Sequence, residues 1–278
     1  MRKVSGVFAV LLFSLVFAGP VVGAATKTAT KTKSKSTATA TGLKPSCAKD
    51  LAHCPPEGCG PIVKGVKSFD PNLNLKKNLL PSDPATQLPV TAETLDGMKA
   101  LADPAGFKKF DTREKLEAIG EGRKVAVVAF LLVARDEPGG ESCNCGLHSL
   151  DETDNHLVLV SKDTIDKFPL KGKTAASVST ALKKREPESL TAEFTPRVRA
   201  AGHPNFLKAT MDPLIAKANQ HALLVRVTGM LMFDSQHFLE NHLTRVNNWE
   251  IHPVLKMEFC STGSDCTADS DTGWKSID

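Results

Sequence analysis

Residues 124–135 read KVAVVAFLLVAR and residues 222–233 read ALLVRVTGMLMF. Both are rich in β-branched and large apolar side chains. The first is bounded by Gly120 and Gly122 upstream and by Pro138-Gly139-Gly140 downstream, as a buried strand should be. In the second, Gly229 marks a bend or bulge. Three further strands follow the same logic: residues 156–160 (HLVLV), 189–195 (SLTAEFT, stopped by Pro196) and 249–259 (WEIHPVLKMEF, kinked at Pro253). Between the third and fourth, Leu207, Met211, Leu214, Ile215 and Ala218 recur at a helical period, and Asp212-Pro213 reads as a cap and first-turn proline that would break this helix in two. Three strands, a helix and two strands is the order of an OB-like barrel, and the long first and fourth strands suit strands that bend around a closed sheet. The expected class is mainly β: an OB-like five-stranded barrel with a helix between strands 3 and 4, plus short N-terminal helices.

Working outward, residues 161–187 form a Lys- and Ser-rich insertion. Residues 45–89 are rich in Pro, Gly, Asn and Lys and read as an irregular extension. Thr91 can cap a short helix carrying Leu95, Met98 and Leu101, and Asp111 another carrying Leu116 and Ile119. At the start of the chain, Arg2 and Lys3 precede an apolar run from Val7 to Ala18 and the small residues Val22-Gly23-Ala24-Ala25. This is the pattern of a Sec-type signal peptide cleaved after Ala24. The run is shorter than a bilayer span, so no transmembrane segment is expected after cleavage. The expected divisions are 1–24 signal peptide, 25–46 Thr/Lys-rich solvated linker, 47–122 Cys-containing extension with short helices, 123–260 OB-like β domain and 261–278 C-terminal tail. A secreted or periplasmic bacterial protein follows from the signal peptide, and the absence of any Asn-x-Ser/Thr acceptor is in keeping with it.

The formal charge of +4 comes from the front of the chain. Residues 1–49 hold 8 of the 35 basic residues and no acidic one, leaving 27 basic against 31 acidic residues, a net −4, in the remainder. Such a body lacks the basic footprint of a nucleic-acid groove, and stacking residues are sparse, with no Tyr and with Phe194, Phe233, Trp249 and Phe259 inside apolar strands where core packing claims them. Nucleic acid is therefore not an expected partner.

The seven cysteines fall into three groups: Cys47, Cys54, Cys59; Cys143, Cys145; and Cys260, Cys266. In an exported chain, disulfides are the default, and an odd count leaves one thiol over. Cys260 and Cys266 flank a turn and could close locally, and a bridge between the first two groups would staple the extension to the barrel. A rival reading collects Cys143, Cys145, His148 and His156 as a metal site, without the spacing of the usual structural zinc motifs.

Alternation along strands puts Asp154 and His156 on one face, and Glu250 and His252 on one face. With Glu193, Asp234 and His237 they make a set of carboxylates and imidazoles from separate segments near strand ends. If brought together, these residues could bind a divalent metal or perform acid–base work, although strand ends also need polar groups for purely structural reasons. No serine-esterase elbow and no helical His-Glu-x-x-His is present.

The run Asp154-x-His156-Leu-Val-Leu, then Ala192-Glu193, Val225-Arg-Val-Thr-Gly229 to Phe233-Asp234, and Glu250-Ile-His252-Pro-Val254 resembles the core of an uncharacterised group of secreted bacterial proteins. The resemblance spans about residues 123–259. In that group the fourth strand also ends in an aromatic, an Asp and a nearby His, matching Phe233, Asp234 and His237. It implies a shared β domain and the same polar positions, and it carries no reaction, cofactor or substrate. The leading expectation is a secreted, non-enzymatic module binding a small ligand or a protein at this polar rim. The alternatives are a metal-dependent, phosphodiesterase-like hydrolase, with Asp154, Glu193, Asp234 and Glu250 around a cation and His156 or His252 as base, and a structural envelope protein without ligand.

Overall fold

The computed structural model describes residues 45–170, 172, 174–237, 244–263 and 265–278. The signal peptide and nearly all of the linker lie outside the described residues.

Chain order begins with a small hairpin, β1 (Ile62–Val63) and β2 (Val66–Lys67), followed by helix α1 (Pro71–Lys77). Asp70 caps α1 by accepting hydrogen bonds from the amides of Asn72 and Leu73, and Pro71 occupies its first turn, where no amide is needed. Then come β3 (Thr91–Thr94), α2 (Leu95–Lys99) and α3 (Glu114–Glu117). The barrel strands are β4 (Lys124–Asp136), β5 (Asn155–Val160), β6 (Leu190–Phe194), β7 (Leu223–Phe233) and β8 (Trp249–Cys260). Helices α4 (Lys162–Lys167) and α5 (Ala175–Arg185) fill the insertion after β5, α6 (Pro196–Ala200) and α7 (Lys208–Lys217) lie between β6 and β7, and β9 (Trp274–Ser276) closes the chain.

The strand path is β4-β5-β6-β8-β7, and β7 pairs back onto β4 from Lys124↔Met230 to Leu131↔Leu223, so the barrel is closed. The β6–β8 ladder is parallel and the other barrel ladders are antiparallel. With helices between the third and fourth barrel strands, this is the OB topology that the strand order predicts. The strand β4 is long because its first half runs between β7 and the parallel outside strand β3 while its second half turns to β5, through a register shift at Leu131/Val133. At the other bend, β8 presses so closely on Gly229 that a Cβ there would sit 2.4 Å from the Pro253 carbonyl oxygen. Glycine is needed for that approach rather than for its torsion angles.

The barrel interior is filled by alternate residues of every strand, among them Val125, Val127, Leu157, Leu159, Ala192, Phe194, Val225, Val227, Trp249 and Ile251. Phe194 stacks on Phe206 at 4.5 Å, and Phe233 meets Trp249 edge-on at 5.3 Å. The indole of Trp249 donates to the Ala102 carbonyl, so its one polar group is satisfied within the core.

Three local expectations are corrected. Thr91 opens β3 rather than a helix, because Thr91–Thr94 find a ladder against Val125–Val128, and the cap of α2 falls to Thr94, which accepts from the Gly97 amide. Asp111 does not cap α3; its carboxylate accepts from the Lys108 amide instead. Helix α7 is not broken at Asp212-Pro213: Pro213 lies inside it, and Asp212 pairs with Lys208 one turn earlier.

The extension is fastened to the barrel domain by one covalent bond. Cys54 is bonded to Cys145, as the sequence grouping suggests, Cys260 closes the local loop with Cys266, and Cys47 pairs within its own group with Cys59. Cys143 is the remaining thiol, and it is buried. Gly58 enables the docking: its φ is +65°, and a Cβ would lie 2.1 Å from the Ser142 carbonyl oxygen. Asn74 on α1 donates to Ser142 Oγ, and Asn78 just beyond it donates to the carbonyls of Pro56 and Cys143. Among the described residues no helix is long and apolar enough to cross a membrane.

Candidate functional site

Because Leu157, Ala192, Phe194, Trp249 and Ile251 point into the core, the residues alternating with them point the other way. Those residues are His156 on β5, Glu193 on β6, and Glu250 and His252 on β8. They are neighbours by register: His156 faces Glu193 across the β5–β6 ladder, and Thr191 faces Glu250 across the β6–β8 ladder, two positions before Glu193 and His252. The polar set thus lies on the outside of one barrel wall. It is not the open rim that strand-end positions suggest, because helix α1 and the loop around Glu141–Asn144 cover it. Glu193, Glu250, His252 and Asp154 are all buried.

The contacts form a chain. His156 Nδ1 is 3.0 Å from Glu137 Oε1, and its Nε2 is 2.5 Å from Glu193 Oε1. The second oxygen of Glu193 lies 2.9 Å from His252 Nδ1, which is also 3.3 Å from Glu250 Oε1, while His252 Nε2 is 3.8 Å from Asp154 Oδ2. Asn144 donates to the other oxygen of Asp154 at 3.0 Å. Arg245 bridges Glu250 Oε2 at 3.0 Å and Asp234 Oδ2 at 2.9 Å, and Asp234 Oδ2 also meets His237 Nδ1 at 2.5 Å. Opposite them, the buried ammonium of Lys77 is 3.7 Å from Glu141 Oε1. All seven residues singled out in the sequence are therefore linked through these contacts, in two parts. Asp154, His156, Glu193, Glu250 and His252 meet directly, and Asp234 with His237 joins them through Arg245. His156 and His237, with side chains 32% and 38% exposed, are the members that reach solvent.

Charge and burial act against each other throughout. For His252, burial works against the imidazolium, but the Glu193 charge and contacts with Glu193 and Glu250 push its pKa up to about 10. For His156, burial is likewise outweighed, by Glu193 and Glu137, and its pKa is raised well above the ordinary histidine range. Glu193 is held well below the carboxylate range because His156, His252 and Lys77 overcome its desolvation. Asp154 is raised, first by burial and then by the nearby Glu193 charge, with His252 opposing. Burial lifts Glu141 to about 8 against the pull of Lys77. The Lys77 ammonium is held well above its usual value: desolvation disfavours it, yet Glu141, Glu193, Asp234 and Glu250 surround it with negative charge.

The telling feature is what is left unbonded. Asp154 Oδ2, Glu193 Oε2, Glu250 Oε1 and both ring nitrogens of His252 are buried and lie close together, yet among the described residues none has an aligned hydrogen-bond partner. Buried polar atoms in folded proteins are nearly all satisfied, so five convergent exceptions need a physical cause. One ligand atom from each of Asp154, Glu193 and His252 can be chosen so that all lie within 4.8 Å of one another. Two carboxylates and an imidazole are the donor set of a divalent transition cation. Ligand atoms at the usual 2.0–2.2 Å from such an ion stand roughly 2.9–3.5 Å apart. Within the triad, His252 stands 2.9 Å from Glu193 Oε2 through Nδ1 and 3.8 Å from Asp154 Oδ2 through Nε2, which brackets that range.

Sequence reading misses Lys77, Glu137, Glu141, Asn144 and Arg245, which come from the cap and loops, where no strand alternation singles them out. The signal that could have found the cap residues is the cysteine grouping, since a bridge between Cys54 and Cys145 brings α1 and residues 141–144 over the same wall. The rival metal cluster of Cys143, Cys145, His148 and His156 does not form: Cys145 is consumed by its disulfide, His148 lies beside the Pro138 carbonyl, and His156 belongs to the Glu193 network. The chain matches no family model, no curated protein and no solved structure.

Proposed function

We propose that this protein is an exported binding module whose ligand is a divalent cation, held on the outer barrel wall by Asp154, Glu193 and His252 beneath a disulfide-fastened cap. The observation that carries this reading is the convergence of buried, unbonded carboxylate oxygens on an unbonded imidazole. Glu250 stands beside the ligands with one oxygen anchored by Arg245, and His156 fixes the far oxygen of Glu193. Such supporting contacts orient metal ligands in characterised sites. Three disulfides support an extracytoplasmic setting.

The hydrolase reading keeps one specific support. His156 touches the proposed ligand Glu193 on one side and Glu137 on the other while a third of its side chain reaches solvent. Because both ring nitrogens are engaged, proton transfer to or from a cation-bound water would require His156 to release Glu137 or Glu193.

The test is zinc titration of the purified chain from residue 25, followed by isothermal calorimetry and native mass spectrometry. Uptake that falls by one equivalent in both Glu193→Gln and His252→Ala, with circular dichroism unchanged, is expected. Uptake that is absent in the unsubstituted protein, or indifferent to both substitutions, would overturn the reading and leave ordered water to satisfy the five atoms.

A further inference from the structure

The seventh cysteine is not idle in this arrangement. Cys143 is buried, unbridged, and directly precedes Asn144, which holds Asp154. Its Sγ lies 3.9 Å from Glu141 Oε2, and one ligand atom each from Glu141, Cys143 and Asp154 can be chosen within 4.8 Å of one another. Asp154 therefore belongs to two triads, one toward Glu193 and His252 and one toward Glu141 and Cys143. The unsatisfied Asp154 Oδ2 is common to both triads, and beside the second the Oδ1 of Asn144, a residue only 1% exposed, is also buried without an aligned partner among the described residues.

We infer that Glu141, Cys143 and Asp154 form a second, thiol-bearing cation subsite that shares Asp154 with the first, so that the centre takes two borderline-soft divalent ions such as zinc or cobalt. This inference rests on the proposed function and extends it.

The donor chemistry selects the ion class. A thiolate with two carboxylates suits zinc-like ions and not calcium or magnesium, which prefer oxygen alone. Ligands 2.0–2.3 Å from a tetrahedral zinc stand roughly 3.3–3.8 Å apart, close to the observed sulfur-to-oxygen spacing. Glu141 divides its oxygens: Oε1 faces the Lys77 ammonium and Oε2 faces Cys143, so it can keep Lys77 and still ligate. Charge and protons balance simply. As the metal binds, Cys143 and whichever of Glu141 and Asp154 is protonated give their protons to solvent, and no oxidant or reductant takes part. Burial holds the free thiol protonated well above neutrality, so the metal supplies the drive for its ionisation.

Cobalt(II) provides the test, because a thiolate ligand produces an intense near-ultraviolet charge-transfer band that oxygen and imidazole ligands do not. The disulfide-intact chain from residue 25 is titrated, with stoichiometry read by native mass spectrometry. Expected are two cobalt ions and the band in the unsubstituted protein, and one cobalt without the band in Cys143→Ser. Glu193→Gln should retain one cobalt with the band. Glu141→Gln, which leaves the thiol in place, should weaken the thiol-bound ion at least tenfold and keeps the question open to measurement if Cys143→Ser folds poorly. One cobalt without the band, unaffected by Cys143→Ser and lost in Glu193→Gln, overturns the second subsite and leaves the first intact. No binding overturns both.

Discussion

Two ionic clusters decorate the outside of the same barrel, and they are built on opposite terms. On the β7–β8 side, Arg226 grips Glu258 through two nitrogens at 2.7 and 3.0 Å, reaches the exposed Asp271 at 2.8 Å, and lies over the Trp274 ring; Lys256 joins Glu258 at 2.9 Å. The Glu258 oxygens and the Arg226 nitrogens that face them are bonded, and water has access at the edge. On the β5–β6–β8 side, the carboxylates and imidazoles are deeper, more numerous and left with unbonded atoms. A satisfied cluster explains itself as sheet-face pairing. A buried cluster with convergent unsatisfied atoms does not, since desolvating charges is costly unless something returns the lost interactions. That difference is the physical ground for proposing a binding centre on one wall and a structural ion pair on the other.

The largest contrast should appear when one carboxylate is removed from each cluster. In metal-free buffer, Glu193→Gln strips His156 and His252 of their shared anion in a dry environment. A loss of about 3–5 kcal/mol is expected, as for other broken buried pairs. Urea denaturation of the two single variants measures it directly, and equal losses in Glu193→Gln and Glu258→Gln would dissolve the distinction drawn between the walls.

Removing the staple ranks next. The Cys54–Cys145 bond closes a loop of 91 residues and holds the cap over the buried cluster, whereas nothing of the kind covers Arg226. Replacing both cysteines by Ala should cost about 2–5 kcal/mol. Hydrogen exchange should then rise in α1 and residues 141–145 and at the β5 and β6 amides beneath them, and stay unchanged at β7 around Arg226. Uniform acceleration across the barrel would mean that the cap is not a separate layer.

How far this division was legible in the sequence follows from where each residue sits. The barrel strands announce themselves because apolar runs such as 124–135 have no stable home but a strand between punctuating glycines and prolines. Asp154, His156, Glu193, Glu250 and His252 stand out because each interrupts or adjoins an apolar strand at a spacing of two. Nothing equivalent distinguishes Lys77 from Lys76. They are adjacent on one helix, yet Lys77 is buried against the anionic cluster while Lys76 pairs with Glu117 at the surface. Only the docking of the extension decides between them, and that is a long-range, covalently enforced contact. Arg245, which holds both Asp234 and Glu250, also comes from a connection without period. The disulfide partners were legible by group alone, because pairing depends on distances that spacing along the chain does not fix.

Asn144→Ala gives an intermediate effect that sharpens the comparison. It removes the hydrogen bond that Asp154 Oδ1 accepts among the described residues and leaves a buried acceptor, for an expected loss of about 1–3 kcal/mol in metal-free buffer. If a cation is bound through Asp154, saturating zinc should recover part of that loss, because a ligand that binds only the folded chain stabilises it by mass action. Melting temperatures of the variant with zinc and with chelator measure the recovery, and the same additions should shift Glu258→Gln by as much as the unsubstituted protein, because its proposed cation site is intact.

The smallest effect belongs to the satisfied cluster. Burial raises the Glu258 pKa, but the hydrogen bonds from Arg226 and Lys256 and their charges more than compensate, so its folded value lies below its unfolded one. A depressed carboxylate stabilises the fold above the unfolded value, near pH ~4.3, and that contribution disappears as pH falls through the folded value. Glu258→Gln should therefore cost no more than about 1 kcal/mol at neutral pH, since Arg226 keeps Asp271, and the gap from the unsubstituted protein should close in acid. A gap that instead widened below pH ~4 would mean that Glu258 is protonated less easily unfolded than folded, and that this cluster too is held together against its own electrostatics.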